Sequence, residues 1–294
     1  MLESPDGTDP VSVACGVGAN SMAMLVGMRR LGIRPDLILF ADVGDDGERP
    51  ATYEYKERVL RPWLRAIGFP DLVEVRYVPR HDRYTSLEGN LLANQTLPSL
   101  AFGYKGCSLK FKVEPQQKYE AGWDLAQRAW RRGGRIEKWI GYDAGPKDRL
   151  RGLELYDDDR YRYRYPLRDE WGWDRERCKE EIRADPELVA IAGAARLDPV
   201  PEKSSCWFCP ANTTDEIRQL DDSHPHLADR IIAIEATARP KLRTVQGLWR
   251  RPRKGCRGTE PRPADMTTFI LAYRQQKALR SLPVLQPAPP GLAA

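Results

Sequence analysis

Apolar runs separated by polar gaps set the first expectation for this chain. "VSVAC", residues 11–15, is short and β-branched and ends against Gly16 and Gly18, so it reads as a buried strand. "SMAMLVGMRRLGI", residues 21–33, reads as a helix with Ser21 near its start and Gly32 at its end. A second buried strand is expected in "DLILFADVG", 36–44, followed by a long amphipathic helix that begins near Pro50 and Thr52. "LVEVRYVP", 72–79, is a third strand. The order β-α-β-α-β predicts a parallel sheet with right-handed crossovers.

A helix over roughly 115–132 and a fourth strand in "IEKWIGYDA", 136–144, extend that pattern. The charged, tyrosine-rich stretch 145–167 reads as a loop. Beyond it come short helices, a capping box in "TTDE" at Thr213–Glu216, and a final helix over 264–282. The expected organisation is an α/β domain over 1–168, a mostly helical cysteine-containing region over 169–282, and a loose Pro/Gly/Ala-rich tail over 283–294.

With 41% hydrophobic and 30% charged residues, the 294-residue chain can build a core, and wholesale disorder is excluded. No apolar run is long enough to span a bilayer. The acidic start "MLESPDGTDP" lacks the apolar segment of a signal peptide. A soluble, cytoplasmic protein with no membrane partner is expected. Net charge is +5, and residues 238–257 carry no acid. That stretch is a candidate contact for tRNA or DNA, with Trp249 placed to stack on a base; a solvated basic loop is the alternative. His81, His224 and His226 form no catalytic pattern.

Glycines between the first strand and helix can let backbone N–H groups meet an anion, with the helix dipole adding positive potential. They equally suit a tight turn. The spacing is neither a Walker loop nor the three-glycine dinucleotide fingerprint. Of six cysteines, Cys206 and Cys209 form a CxxC, a spacing that suits one metal, one cluster or a redox pair. Cys107 and Cys178 are candidate further ligands, and a buried core thiol is the alternative for Cys178. Cys15 ends a buried strand and reads as core, and Cys256 has no evident partner.

Five segments together carry a family resemblance: "ACGVGANSMAML", "FADVGDDGERPATYEY", "CSLKFKVEP", "YPLRDEWGWDRERC" and "PEKSSCWFCP". Over roughly residues 11–235 the chain resembles the adenine nucleotide α-hydrolase, or PP-loop ATP pyrophosphatase, superfamily, and within it the phosphoadenosine phosphosulfate (PAPS) reductase-like proteins. The resemblance implies a Rossmann-like α/β parallel sheet with a mostly helical C-terminal region. It implies ATP with Mg2+ at Gly16, Val17, Gly18, Ala19, Asn20, Ser21, Asp42 and Gly44, and catalytic roles for Ser21, Lys112 and Arg149. It also implies a [4Fe–4S] cluster, or alternatively Zn2+, on Cys107, Cys178, Cys206 and Cys209. The chain departs from the superfamily's SGGxDS pattern: Gly16 stands for the Ser, Val17 for the first Gly and Asn20 for the Asp. Pro146 likewise stands where Glu is usual, beside Arg149 and Arg151. If extended, the segment after Cys107 would point Lys110 and Lys112 to one face.

The implied activity is adenylation of a substrate with release of pyrophosphate, followed by sulfur transfer, with nucleic acid as one acceptor and a sulfur donor protein as partner. One alternative is a sulfonucleotide reductase. That chemistry needs a nucleophilic Cys in a mobile C-terminal segment, and no Cys follows Cys256. The other is a non-catalytic nucleic-acid-binding protein with a structural zinc site.

Overall fold

A computed structural model describes residues 9–79, 83–150, 156–255 and 260–280. The chain divides into two compact units, one of residues 1–93 and 105–207, the other of 94–104 and 208–294. The division therefore falls inside the CxxC, between Trp207 and Phe208. It does not fall at 168, because the helices that follow the sheet pack into the same core as the sheet.

The first unit is built on five parallel strands in the order β3-β2-β1-β4-β5. These are β1 (Val11–Ala14), β2 (Leu37–Asp42), β3 (Leu72–Arg76), β4 (Ile136–Ile140) and β5 (Tyr161–Arg164). All six residues of β2 are buried, as expected of a strand covered on both faces. Helix α1 (Ala19–Arg30) follows β1, and α2 (Pro50–Tyr55) and α3 (Arg61–Ala66) follow β2. Then come α4 (Leu87–Asn94), α5 (Gly106–Ser108), α6 (Glu114–Ala121) and α7 (Asp124–Arg131). After β4 and β5 stand α8 (Pro146–Arg149), α9 (Pro166–Asp169), α10 (Arg175–Arg183) and α11 (Pro186–Ala195). One face of the sheet carries the main core, where Val13, Ile38 and Phe40 meet Met22, Leu25, Trp63 and Leu188. On the other face Leu37, Leu39, Ala41 and Val75 pack with Trp123.

Two helical runs contain a π turn, at Lys56–Leu60 and Leu109–Val113. Each is followed by a proline in the first turn of the next helix, Pro62 and Pro115. Proline offers no N–H to a regular α ladder, and a wider turn absorbs the missing bond. The helix expected over 115–132 is two helices, because the chain turns extended at Trp123, just after Gly122. Strand β5 lies in the stretch read as a loop. Its alternation of Tyr161 and Tyr163 with Arg162 and Arg164 is the period-2 signal of an edge strand, with charged residues protecting the open edge.

The second unit contains α12 (Thr214–Ser223), α13 (Pro225–Ala238) and α14 (Met266–Arg280). The capping box is present: Thr213 Oγ1 accepts the Glu216 N–H at 3.2 Å, and Glu216 Oε2 accepts the Thr213 N–H at 2.7 Å. Buried Glu235 accepts the N–H groups of Leu248, Met266 and Thr267, supplying partners that the start of α14 cannot find within the helix. His224 sits between α12 and α13 at the N-cap position of the latter without a side-chain capping bond, and His226 is exposed. His81 and the tail over 283–294 lie outside the described residues. No helix among the described residues is long and apolar enough to cross a membrane.

Candidate functional site

From β1 the chain winds to β2 and β3 on one side, and β4 and β5 lie on the other. Such a reversal opens a crevice at the carboxyl ends of the central strands, here β1 and β4. The loop Gly16–Gly18 leaves β1 at that point. Gly141, just past β4, explains how the two strand ends meet. A Cβ there would lie 3.0 Å from the backbone of Asn20 and Ser21, so only glycine lets the β4 end touch the start of α1.

Gly18 caps α1, and Ser21 closes the loop. Its hydroxyl donates to the Gly18 carbonyl at 2.9 Å and accepts the Gly18 N–H at 3.1 Å. Val17 has φ +57°, a conformation that strains a β-branched residue, yet it is fully buried in the main core. Packing holds the loop in a shape the residue resists. This predicts an inversion of the usual glycine penalty. Val17→Ala and Val17→Gly both lose the buried side chain, but Gly adopts φ > 0 without cost. Val17→Gly should therefore be the more stable by about 1 kcal/mol. Urea midpoints of the two variants check it, and the reverse order would remove the strain from the account.

Asn20 joins three elements. Its amide donates to Asp143 Oδ2 at 2.8 Å and Asp148 Oδ2 at 3.1 Å, and its carbonyl accepts Arg175 Nη1 of α10 at 2.6 Å. Both carboxylates are buried. An aspartate at position 20 would set a third carboxylate against these two, which gives a local reason for the amide. Arg149 is exposed and donates from Nε to the Ala144 carbonyl at 2.7 Å. Arg151 lies outside the described residues.

Asp42 ends β2 and organises the loop behind it. Burial works against its charge, but the Gly44 N–H, the Tyr53 hydroxyl and Arg76 outweigh burial and hold the carboxyl below its usual range. Gly44 has φ +81°, and a Cβ on it would meet Ser86 at 2.9 Å. Further along the loop, Glu48 is buried and receives Lys112 Nζ at 2.5 Å. Lys110 instead donates to the Tyr84 hydroxyl at 2.7 Å. The two lysines separate because their segment is a π turn and not extended.

A segment distant in sequence closes over both loops. Arg49 N–H donates to the Ser205 carbonyl at 3.0 Å, Glu48 and Cys206 form an antiparallel bridge, and Trp207 donates to the Gly47 and Asp46 carbonyls. Ser204 Oγ lies 3.0 Å from where a Gly18 Cβ would stand and 3.8 Å from the same point on Gly16. The motifs "ACGVGANS", "GDDGER" and "KSSC" thus converge at one sheet edge. Ser204, Glu48, Asp143, Asp148 and Arg175 were not singled out from sequence. Only the acidic "GYDAGPKDR" after a strand end offered a signal for two of them.

The cysteines divide differently from the expected set. Cys15 is core, and burial pushes its thiol up to about 11. Cys178 is also fully buried in the main core on α10, packed against α1; burial, then Asp143, pushes its thiol up to about 12. Cys107 is half-buried in α5, Cys206 is buried, and Cys209 is half-buried in the second unit. Among the described residues, no three His, Cys, Asp or Glu side chains are gathered so as to hold a metal ion. Cys107, Cys178 and Cys206 belong to the first unit and Cys209 to the second. Cys256 lies outside the described residues.

In the second unit Trp249 is 3% exposed. Its ring packs edge-on to Phe269, lies under Arg262, and donates from Nε1 to the Asn212 carbonyl at 2.8 Å. It is a core residue and cannot stack on a base. Compared with protein-family models and with curated proteins, the chain matches none.

Proposed function

We propose that the chain is an ATP-dependent enzyme of the PP-loop type, which adenylates its substrate and releases pyrophosphate, with sulfur transfer as the following step. The observation that carries the reading is the convergence of the glycine loop, the β2 loop and the Lys203–Trp207 segment at the switch point of a parallel sheet. Backbone N–H groups at the start of α1 would receive phosphate oxygens, and Lys112, held at the same edge by Glu48, would add a cation. A substrate oxygen attacks the α-phosphorus, the bond to the bridging oxygen breaks, and pyrophosphate leaves with its electron pair. The protein's share is positioning and charge stabilisation, with Mg2+ on the phosphates. Ser21 shapes the loop, through its two bonds to Gly18, more directly than it offers a free hydroxyl. Asp42 likewise orders its loop.

A sulfur donor protein and a nucleic-acid acceptor belong to this reading as its partners, with cytoplasm as its setting. The thiolate-bound [4Fe–4S] cluster or zinc implied by the family resemblance carries no step in it. Iron, zinc and sulfide analysis of anaerobically purified protein tests that group separately.

The test uses Gly18→Val. A side chain there meets Ser204 Oγ and covers the backbone that an anion must approach. The variant should remain folded by circular dichroism and lose most of its ATP binding, because the side chain covers the backbone N–H groups that the phosphates would approach. Wild-type protein that binds no adenine nucleotide, or a variant that binds it equally well, overturns the reading.

A further inference from the structure

The polar side chains of the glycine loop are already engaged within the protein. Asn20 directs its amide to Asp143 and Asp148 and its carbonyl to Arg175. The Ser21 hydroxyl both donates to the Gly18 carbonyl and accepts the Gly18 N–H. Neither is free to face an anion. Ser204, which reaches the loop from a distant segment, differs. It is half-buried, and among the described residues its hydroxyl makes no hydrogen bond.

The three residues that follow fix its position. The Ser205 carbonyl accepts the Arg49 N–H at 3.0 Å, and Cys206 bridges to Glu48. Trp207 is fully buried; its backbone N–H donates to the Gly47 carbonyl at 3.2 Å and its Nε1 to the Asp46 carbonyl at 2.9 Å. These bonds fasten the segment to the β2 loop and set Ser204 Oγ against the β1 loop. A Cβ on Gly18 would lie 3.0 Å from that oxygen and one on Gly16 3.8 Å. Gly18 thus leaves the room that the hydroxyl takes up. The start of α1 lies at the same edge, and its first N–H groups have no carbonyl within the helix to bond. A tetrahedral anion placed there meets backbone donors on the helix side, and Ser204 stands at the loop with a hydroxyl to add.

We propose that the Ser204 hydroxyl donates a hydrogen bond to a phosphate oxygen of the anion seated on the glycine loop, which makes Ser204 a substrate-binding residue. This contact rests on the nucleotide-binding reading above and adds to it a donor from the segment that carries Cys206. A hydroxyl suits the position. It is neutral, and it rotates to meet an oxygen that the fixed N–H groups leave unpaired. Ser204 Oγ has no protein partner to give up on binding. Its bond to the anion is also charge-assisted, and so stronger than one between neutral groups.

The experiment titrates the full chain and its Ser204→Ala variant with ATP and with inorganic pyrophosphate by calorimetry, and records the thermal midpoint of each protein without ligand. Wild type should bind both anions. The variant should bind each about 10-fold or more weakly, the scale of a hydrogen bond to a charged group. The midpoint should not move, because the hydroxyl holds nothing in the empty protein. Equal affinity of the two proteins for both anions overturns the proposal and leaves the nucleotide-binding reading standing. So does a variant weakened toward ATP alone, which would set the hydroxyl against the nucleoside. A midpoint that falls together with affinity would make Ser204 a structural residue, and overturns the proposal as well. Wild-type protein that binds neither anion overturns both the contact and the reading beneath it.

Discussion

Glu120→Ala should destabilise the first unit by about 3–5 kcal/mol, the cost of leaving a buried charge without its partner. Lys138 points from β4 into the layer between the sheet and α6. Its Nζ donates to Glu120 Oε1 at 2.6 Å and to Ser12 Oγ at 3.2 Å. Ser12, its register neighbour on β1, also donates to Glu120. The side chains of Lys138 and Glu120 are 7% and 0% exposed, so water does not stand in for a missing partner. A cavity of about 60 Å³ lined in part by Gln116, Tyr161 and Tyr163 lies beside the pair, and the truncation would enlarge it.

The pH dependence of that variant follows from burial. Burial lowers the pKa of Lys138 and Glu120 opposes the shift. Without Glu120 the folded-state value falls further below the unfolded value of about 10.4. Between the two values the unfolded chain binds more protons, so stability rises with pH. The deficit of Glu120→Ala should therefore shrink as pH rises from 7 to 10, and Glu120→Leu with Lys138→Met should recover most of the loss. Urea unfolding at three pH values measures both. A deficit below 1 kcal/mol, or one insensitive to pH, would remove the buried pair from the account.

Four of the five strands were legible: 11–15 and 36–44 are short apolar runs between turn signals, as buried parallel strands are, and 72–79 and 136–144 keep β-branched or aromatic residues among a few charged ones. β5 was not, because an edge strand that alternates tyrosine with arginine looks like a charged loop when composition is weighed before period. The glycine loop was legible as an anion-binding candidate, since the reason for it is local. Its companions were not. Glu48 and Ser204 gain meaning only when residues 46–49 pair with 205–207, and Asn20 only when the β4 loop brings Asp143 and Asp148 to it. Trp249 shows the opposite failure. A tryptophan among arginines suggests stacking, but its neighbours Val245 and Leu248 point inward with it, and burial takes precedence over local charge.

Cys178→Ser should leave the metal content of anaerobically purified protein unchanged while lowering stability by about 1–3 kcal/mol, the cost of burying a hydroxyl where an apolar thiol sat. The argument rests on position. Cys178 lies on the face of α10 that packs on α1, in the same cluster as Met22, Leu25 and Ile182. Its relative exposure is 0%, against half-buried Cys107 and Cys209. Metal ligands couple binding to folding, so removing a true ligand lowers metal content and stability together. Removing a core thiol lowers stability alone. Cys178→Ala separates the two further, since it keeps the site apolar and leaves a small void that costs less than a buried hydroxyl. The expected order of stability is wild type, then Ala, then Ser, with iron, zinc and sulfide per chain equal in all three. A Ser variant that loses metal in proportion to its loss of stability would return Cys178 to the ligand set with Cys107, Cys206 and Cys209.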